Sequence, residues 1–424
     1  MPINLNDNLN DNLNDNLNDS LNYRGNETAG GTRAVAGQLT DAISAIMPDV
    51  VRMRRHLHQH PELSGHEQQT AMLVADQCRE LGLKVRQDIG GHGLLACLKI
   101  AADKPWIAFR ADMDALPIAD AKQRRYTSSV DEVSHSCGHD AHTAMLLGVA
   151  RLLSQFKQNL HHNIAFIFQP AEETCQGASE MLRDGLFRDF RPQQIYALHV
   201  YPYLPAGSIG LRQGAMCAAA DMFDVEIKGR GGHAARPHEC IDVVLVATHI
   251  IQALHQIVGR RVNPLHPAVL TVGQIHGGHA GNVIPERICF SGTFRSLHPE
   301  VHEEIRTRMD QIIRKTAEAW GATSRFTLKQ ATPVLSNDAM LLTQSRGIFR
   351  HMIPDIQLIE INEPSMGGED FAEFLHDIPG CLFRLGTGSG PETRYPLHHP
   401  CFDIDESSMS AGMAAFAALA LQRG

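Results

Sequence analysis

At 424 residues with 43% hydrophobic content, the chain is long enough for two globular domains. Its net charge of −9 excludes the broad basic field that attracts phosphate backbones, so nucleic acid is not expected as a partner. The nine cysteines are odd in number and lack a framework spacing, which points to reduced thiols and a cytoplasmic home.

The N-terminus has neither the basic nor the apolar region of a signal peptide, and no apolar run of about eighteen residues suggests a membrane span. Residues 4–19 repeat Asn-Leu-Asn-Asp four times. Isolated leucines in such a polar tract cannot offset chain entropy, so 1–39 is expected to be disordered. From Thr40, the spacing of Ile43, Ile46, Val50, Met53 and Leu57 predicts a helix that Pro61 stops. His56, His58 and His60 do not share one helical face and read as structural or supporting residues. A helix over 70–81 ends at Gly82, and a strand follows over 94–100.

Three apolar runs come next, each ending in polar residues. Residues 106–110 lead to Ala-Asp-Met-Asp, 163–168 to Gln-Pro-Ala-Glu-Glu, and 195–198 to His199. Continuous apolar runs suit strands buried on both faces, as in a parallel sheet, where ligands bind beyond the carboxyl ends. Asp112, Asp114, Glu172, Glu173 and His199 are therefore expected on one rim. Between the first two runs lies S-H-S-C-G-H-D-A-H, with Cys137 and His139 two residues apart and Asp140 and His142 close by. In an extended segment both side chains leave the same side, within reach of one ion or two adjacent ions. The apolar run 144–153 predicts a helix behind these donors.

Beyond residue 218 the order strand (221–228), helix (242–258), strand (268–275), strand (287–295), helix (300–320), strand (323–329) is that of a ferredoxin-like unit. It predicts an inserted domain over 218–330, with Gly229, Gly231 and Gly232 loosening its first turn and an edge strand suited to dimerisation. The α/β pattern resumes over 331–424, completing a domain begun at 40–217. The expected fold class is α/β, a mostly parallel sheet with helices on both faces, interrupted by the α+β insert.

Eight motifs, in chain order R-A-D-M-D-A-L-P, S-H-S-C-G-H-D-A-H, F-Q-P-A-E-E, G-G-H-A-A-R-P-H, N-V-I-P, G-T-F-R, G-G-E-D-F and L-H-H-P-C-F-D-I-D-E, run from Arg110 to Glu406, and the resemblance they carry covers roughly Thr40 to the C-terminus. Together they resemble the metallo-amidohydrolases of the hippurate hydrolase and indole-acetyl amino acid hydrolase type, in the aminoacylase and glutamate-carboxypeptidase superfamily. Ser136 and Val243 depart from the usual alanine and proline without removing chemistry.

The resemblance implies two divalent metal ions per subunit, manganese or zinc, held by Cys137, His139, Glu173, His199 and His398, with Cys137 shared between them. Thiolate and imidazole suit zinc, and carboxylate also admits manganese. It implies Glu172 as general base; consecutive side chains diverge, so Glu172 and Glu173 divide the roles of base and ligand. Asp114 would orient a ligand histidine. His233 would reach the partner subunit's site to stabilise an oxyanion, while Asn282 and Arg295 hold the substrate's carboxylate. Arg295 fits an ordinary strand-end ion pair equally well. The implied activity is hydrolysis of N-acyl or N-aroyl amino acids by a homodimer. Aminobenzoyl-glutamate hydrolysis and N-acetyl-diaminopimelate deacetylation are the alternatives within the class, and a silent metal-binding or dimerisation module is the alternative outside it.

Overall fold

The computed structural model describes residues 29–353 and 355–422. The first helix runs Ala29–Gln59, so it begins ahead of Thr40 and the expected disorder does not extend across 29–39. Leu39 is buried and extends the apolar stripe of Ile43, Ile46 and Val50, which explains the earlier start. Residues 1–28, with the Asn-Leu-Asn-Asp repeat, lie outside the described residues.

An eight-stranded sheet forms the larger layer. Its order is Lys84–Ile89, Gly93–Leu98, Asn163–Gln169, Trp106–Asp112, Gln194–Pro205, Gly380–Gly388, Ile209–Leu211, Leu358–Glu360. The four strands from Asn163–Gln169 to Gly380–Gly388 are mutually parallel. Alternate residues serve opposite faces: Phe109, Phe166 and Tyr196 pack against helices Ala29–Gln59, His139–Gln155 and Met409–Leu421, while Ala108, Ile167 and Ala197 pack into a second core. Burial on both faces is why these strands read as unbroken apolar runs.

The insert builds a separate antiparallel sheet in the order Ala268–Gly277, Arg287–Ser296, Ala219–Lys228, Thr323–Thr332. Helices Val243–Arg261 and Pro299–Ala319 cover one face. Val246, Ile250, Leu254 and Ile257 of the first and Val301, Ile305, Met309 and Ile313 of the second bury against Phe223, Val225, Phe290 and Phe294. Asp242 caps the first helix by accepting from the backbone N–H groups of Val244 and Leu245.

Two sequence expectations are corrected here. Val243–Arg261 is, by length and composition, long and apolar enough to cross a bilayer, so such a helix does exist; in the fold it lies on this sheet as described. The glycines at 229 and 231 have no left-handed backbone to supply. They allow close approach instead, since a Cβ would come 2.6 Å from the Ile241 carbonyl oxygen at Gly229 and 2.7 Å from that of Ile284 at Gly231.

Candidate metal centre

At the carboxyl ends of the parallel strands, five segments meet. Strand Trp106–Asp112 delivers Asp112 and, just beyond it, Asp114; Asn163–Gln169 leads to Glu172 and Glu173; Gln194–Pro205 carries His199. Helix His139–Gln155 begins on His139, directly after Gly138. Gly138 has φ 87°, and a Cβ there would lie 2.4 Å from Val200 Cγ2, so glycine is what lets Cys137 and His139 sit against the strand. His398, in the loop after the last strand of the sheet, has φ 65° and is tied in by its N–H to the Ser136 carbonyl at 2.8 Å. Ala171 and Cys175 also hold positive φ, at 53° and 55°, so the backbone on both sides of the glutamate pair is strained as well.

The donors converge. Cys137 Sγ lies 3.5 Å from His199 Nε2. His139 Nε2 lies 3.8 Å from Glu173 Oε1 and 3.9 Å from Glu172 Oε2, and His398 Nε2 is 3.4 Å from Glu173 Oε2. Cys137, His139 and His199 offer atoms within 4.8 Å of one another, and so do Cys137, Glu173 and His398. The thiol thus belongs to two donor sets at once. Asp114 accepts from His139 Nδ1 at 3.1 Å, from the Ser64 hydroxyl at 2.7 Å and from the Glu173 backbone N–H at 2.9 Å, fixing one imidazole and the backbone at Glu173 together.

The donors fit divalent cations on electrostatic grounds. Burial pushes the Cys137 thiol well above its usual range, and Glu173, Glu172 and Asp112 push it further. Glu172 is likewise raised well above its ordinary value by burial and by Glu369, Glu173 and Asp370, with Arg110 opposing. Burial works against charge on His139, yet Asp112 and Asp114 outweigh it and hold this imidazole at about 10. All three shifts run toward the protonated form, so the surroundings are rich in negative charge and favour added positive charge. His139 Nε2 and Glu173 Oε1 face each other, both buried without a hydrogen-bond partner in the described residues. Two buried atoms with lone-pair or proton capacity left unused are what a cation site leaves behind.

The other sequence-derived residues lie elsewhere. His233 is exposed in a two-residue strand paired with Val283, its Nδ1 accepting from the Ala235 N–H at 3.1 Å. Asn282 adjoins it, accepting at its backbone oxygen from the Ala234 N–H at 3.1 Å. Among the described residues, neither makes a hydrogen bond or ion pair with the donor cluster. Arg295 donates to the Met366 carbonyl at 2.8 Å rather than forming an ion pair, which brings it against the Gly-Gly-Glu-Asp segment.

Sequence reasoning left several partners unassigned. Arg110, 1% exposed, ion-pairs with Asp112 at 2.7 Å, Glu369 at 3.0 Å and Asp370 at 3.1 Å. Asp112 in turn binds His142 Nδ1 at 2.6 Å, and His142 Nε2 accepts from the Val200 N–H. On the far side, buried Arg54 joins Asp140, Asp403 and Glu406, while His58 contacts Asp140 at 2.7 Å and Asp120 at 3.2 Å. His58 is thus a supporting residue, as its helical position suggests; His56 and His60 pack on each other instead.

Such a cluster of thiol, imidazole and carboxylate donors beside a buried carboxyl, at the rim of a parallel sheet, defines a metal-dependent hydrolase of amide bonds. The chain belongs to peptidase family M20/M25/M40, whose model matches residues 108–422. It is 42% identical to a probable hydrolase of Synechocystis over 91% of this chain and 98% of that one. An N-acetyl-L-cysteine deacetylase of Bacillus subtilis is 37% identical, over 87% and 86% of the respective chains. Among solved structures, a dinuclear metal-binding M20 peptidase of Bacillus subtilis superposes with TM-score 0.76 at 32% identity, over 89% of this chain and 98% of that one.

Proposed function

We propose that the protein hydrolyses N-acyl or N-aroyl amino acids, releasing a carboxylic acid and the free amino acid, with two divalent ions, manganese or zinc, bound per subunit. The observation that carries this reading is the double membership of Cys137 in the sets with His139 and His199 and with Glu173 and His398. The similarity to an enzyme named for deacetylating N-acetyl-L-cysteine supports the substrate class. When bound, such ions polarise a carbonyl and lower the pKa of water.

The protein's own groups supply the rest. Glu172 takes a proton from the attacking water as its oxygen bonds to the acyl carbon, then delivers that proton to the amine nitrogen as the C–N bond breaks. Asp114 keeps His139 in the tautomer whose Nε2 faces the site. Arg295 and Asn282 hold the free carboxylate, for which a guanidinium fork is suited. His233, which makes no hydrogen bond or ion pair with its own cluster among the described residues, serves the oxyanion of a partner subunit in a homodimer. The edge strand Ala268–Gly277, with Val269 and Ile275 exposed, is the surface through which the inserted domains would pair, in the cytoplasm.

Chelation is expected to abolish hydrolysis of benzoyl-glycine, with activity restored by Mn²⁺ or Zn²⁺. Turnover that persists in metal-free protein would overturn the assignment. Sharing across the interface is tested separately by mixing inactive His233→Ala and Glu172→Gln subunits. A verified heterodimer should recover partial activity through its one intact composite site, and a dead heterodimer would remove His233 from that role.

A further inference from the structure

Arg384 lies in the middle of the sheet, 7% exposed, directly opposite His199 in the parallel ladder between Gly380–Gly388 and Gln194–Pro205. Paired residues in a ladder share a face, so its side chain leaves on the side that carries His199. Two and four residues further along the same strand, Tyr201 and Tyr203 share that face as well. The guanidinium sits over the Tyr201 ring, 5.6 Å from its centroid, and Nη2 donates to the Cys217 thiol at 3.2 Å. Cys217 pairs with Ser365, so Arg384 approaches the segment that Arg295 meets through Met366 from the inserted domain.

What sets this arginine apart is its lack of an anion. Arg54 and Arg110, the other two deeply buried arginines, each meet three carboxylates. Among the described residues, no carboxylate lies within ion-pair distance of Arg384. A thiol and an aromatic face satisfy a guanidinium poorly, and burying a charge without a counterion is costly. A desolvated cation with no carboxylate partner among the described residues, beside an aromatic wall and opposite His199, is a site prepared for an anion that arrives with the substrate.

We propose that Arg384 is a specificity-determining residue that recognises a second carboxylate on the acyl amino acid, in addition to the one held by Arg295 and Asn282. The preferred substrates are then dianionic, with the extra carboxylate on either the acyl group or the amino acid side chain. The inference rests on the hydrolase reading for its kinetic test but not for its binding test.

The kinetic test compares kcat/KM for N-acetylglutamate against N-acetylglutamine, and for N-succinylalanine against its uncharged succinamoyl counterpart, in wild type, Arg384→Gln and Arg384→Lys. Wild type is expected to prefer the acidic member of one pair, which identifies the side that bears the charge. In Arg384→Gln that preference should fall by about 10- to 100-fold, the scale of one hydrogen bond to a charged group, and Arg384→Lys should restore part of it. A variant that loses activity on both members equally, or keeps the preference, overturns the proposal.

The binding test measures glutarate against its monoamide by calorimetry on the metal-loaded protein. Wild type should bind the diacid more tightly and Arg384→Gln should not; equal binding of the two by wild type also overturns it. If none of the four amides is hydrolysed by wild type, the hydrolase reading fails while the binding result still decides the role of Arg384.

Discussion

Glu172→Gln is expected to lower kcat by roughly 10²- to 10⁴-fold, the usual contribution of a positioned general base, while both metal ions stay bound. The side chain is 6% exposed and its Oε2 stands 3.9 Å from His139 Nε2, at the edge of the donor cluster. Glutamine preserves volume and a neutral hydrogen-bonding group but can neither accept the water's proton nor return it to the amine. The proposed ligands Cys137, His139, Glu173, His199 and His398 are untouched, so metal content by elemental analysis should match wild type. A loss of metal in parallel with activity would make Glu172 a ligand. Near-normal kcat would assign the base elsewhere, with Glu369 the first group to examine because it shares the Glu172 and Asp370 cluster.

The second large effect concerns stability. Arg110→Met should destabilise the fold by about 3–5 kcal/mol at neutral pH, measured by denaturant unfolding, because it leaves buried carboxylates without their cation. Besides its three ion pairs, Arg110 donates from Nε to Gln169 Oε1 at 2.8 Å, so methionine also orphans a buried amide oxygen. The pH dependence has a definite sign. Burial acts to raise the Asp112 pKa, but His139, His142 and Arg110 outweigh it and hold this carboxyl well below its usual range. Stability from a depressed carboxyl is present above its unfolded pKa of about 3.9 and is lost as pH falls through its folded value. Asp370 is pushed up to about 8 chiefly by burial, with Arg110 opposing, so its share of the deficit appears mainly above that pH. The share of the deficit that rests on Asp112 should accordingly be full at neutral pH and shrink as that carboxyl protonates on acidification. A deficit that stays constant with pH would trace the loss to packing rather than charge.

Much of this architecture is legible before any coordinates. The runs 106–110, 163–168 and 195–198 are apolar because both faces are buried, and their polar ends fall on one rim because the strands are parallel. The helix and strand order of the insert was readable from simple periodicity, because each of its elements buries one face only. What was not legible is pairing across long separations. Arg110 and Asp370 are 260 positions apart, and no local pattern connects them. Yet a signal existed: Arg110 in W-I-A-F-R-A-D and Arg384 in C-L-F-R-L are charges inside strands buried on both faces, where each must find a partner or a purpose. His398 was reachable only through motif resemblance, since its loop has no periodicity to read. His233 and Asn282 show the opposite case: the chain brings them side by side, but among the described residues neither touches the donor cluster, so their roles rest on the motif resemblance.

Strand Gly380–Gly388 lies in the interior of the large sheet, between Gln194–Pro205 and Ile209–Leu211, although it follows every other strand of that sheet in sequence. Until it inserts, the folding chain displays two open strand edges lined with apolar residues. The interval before closure is when chaperone protection against edge-to-edge sticking matters most.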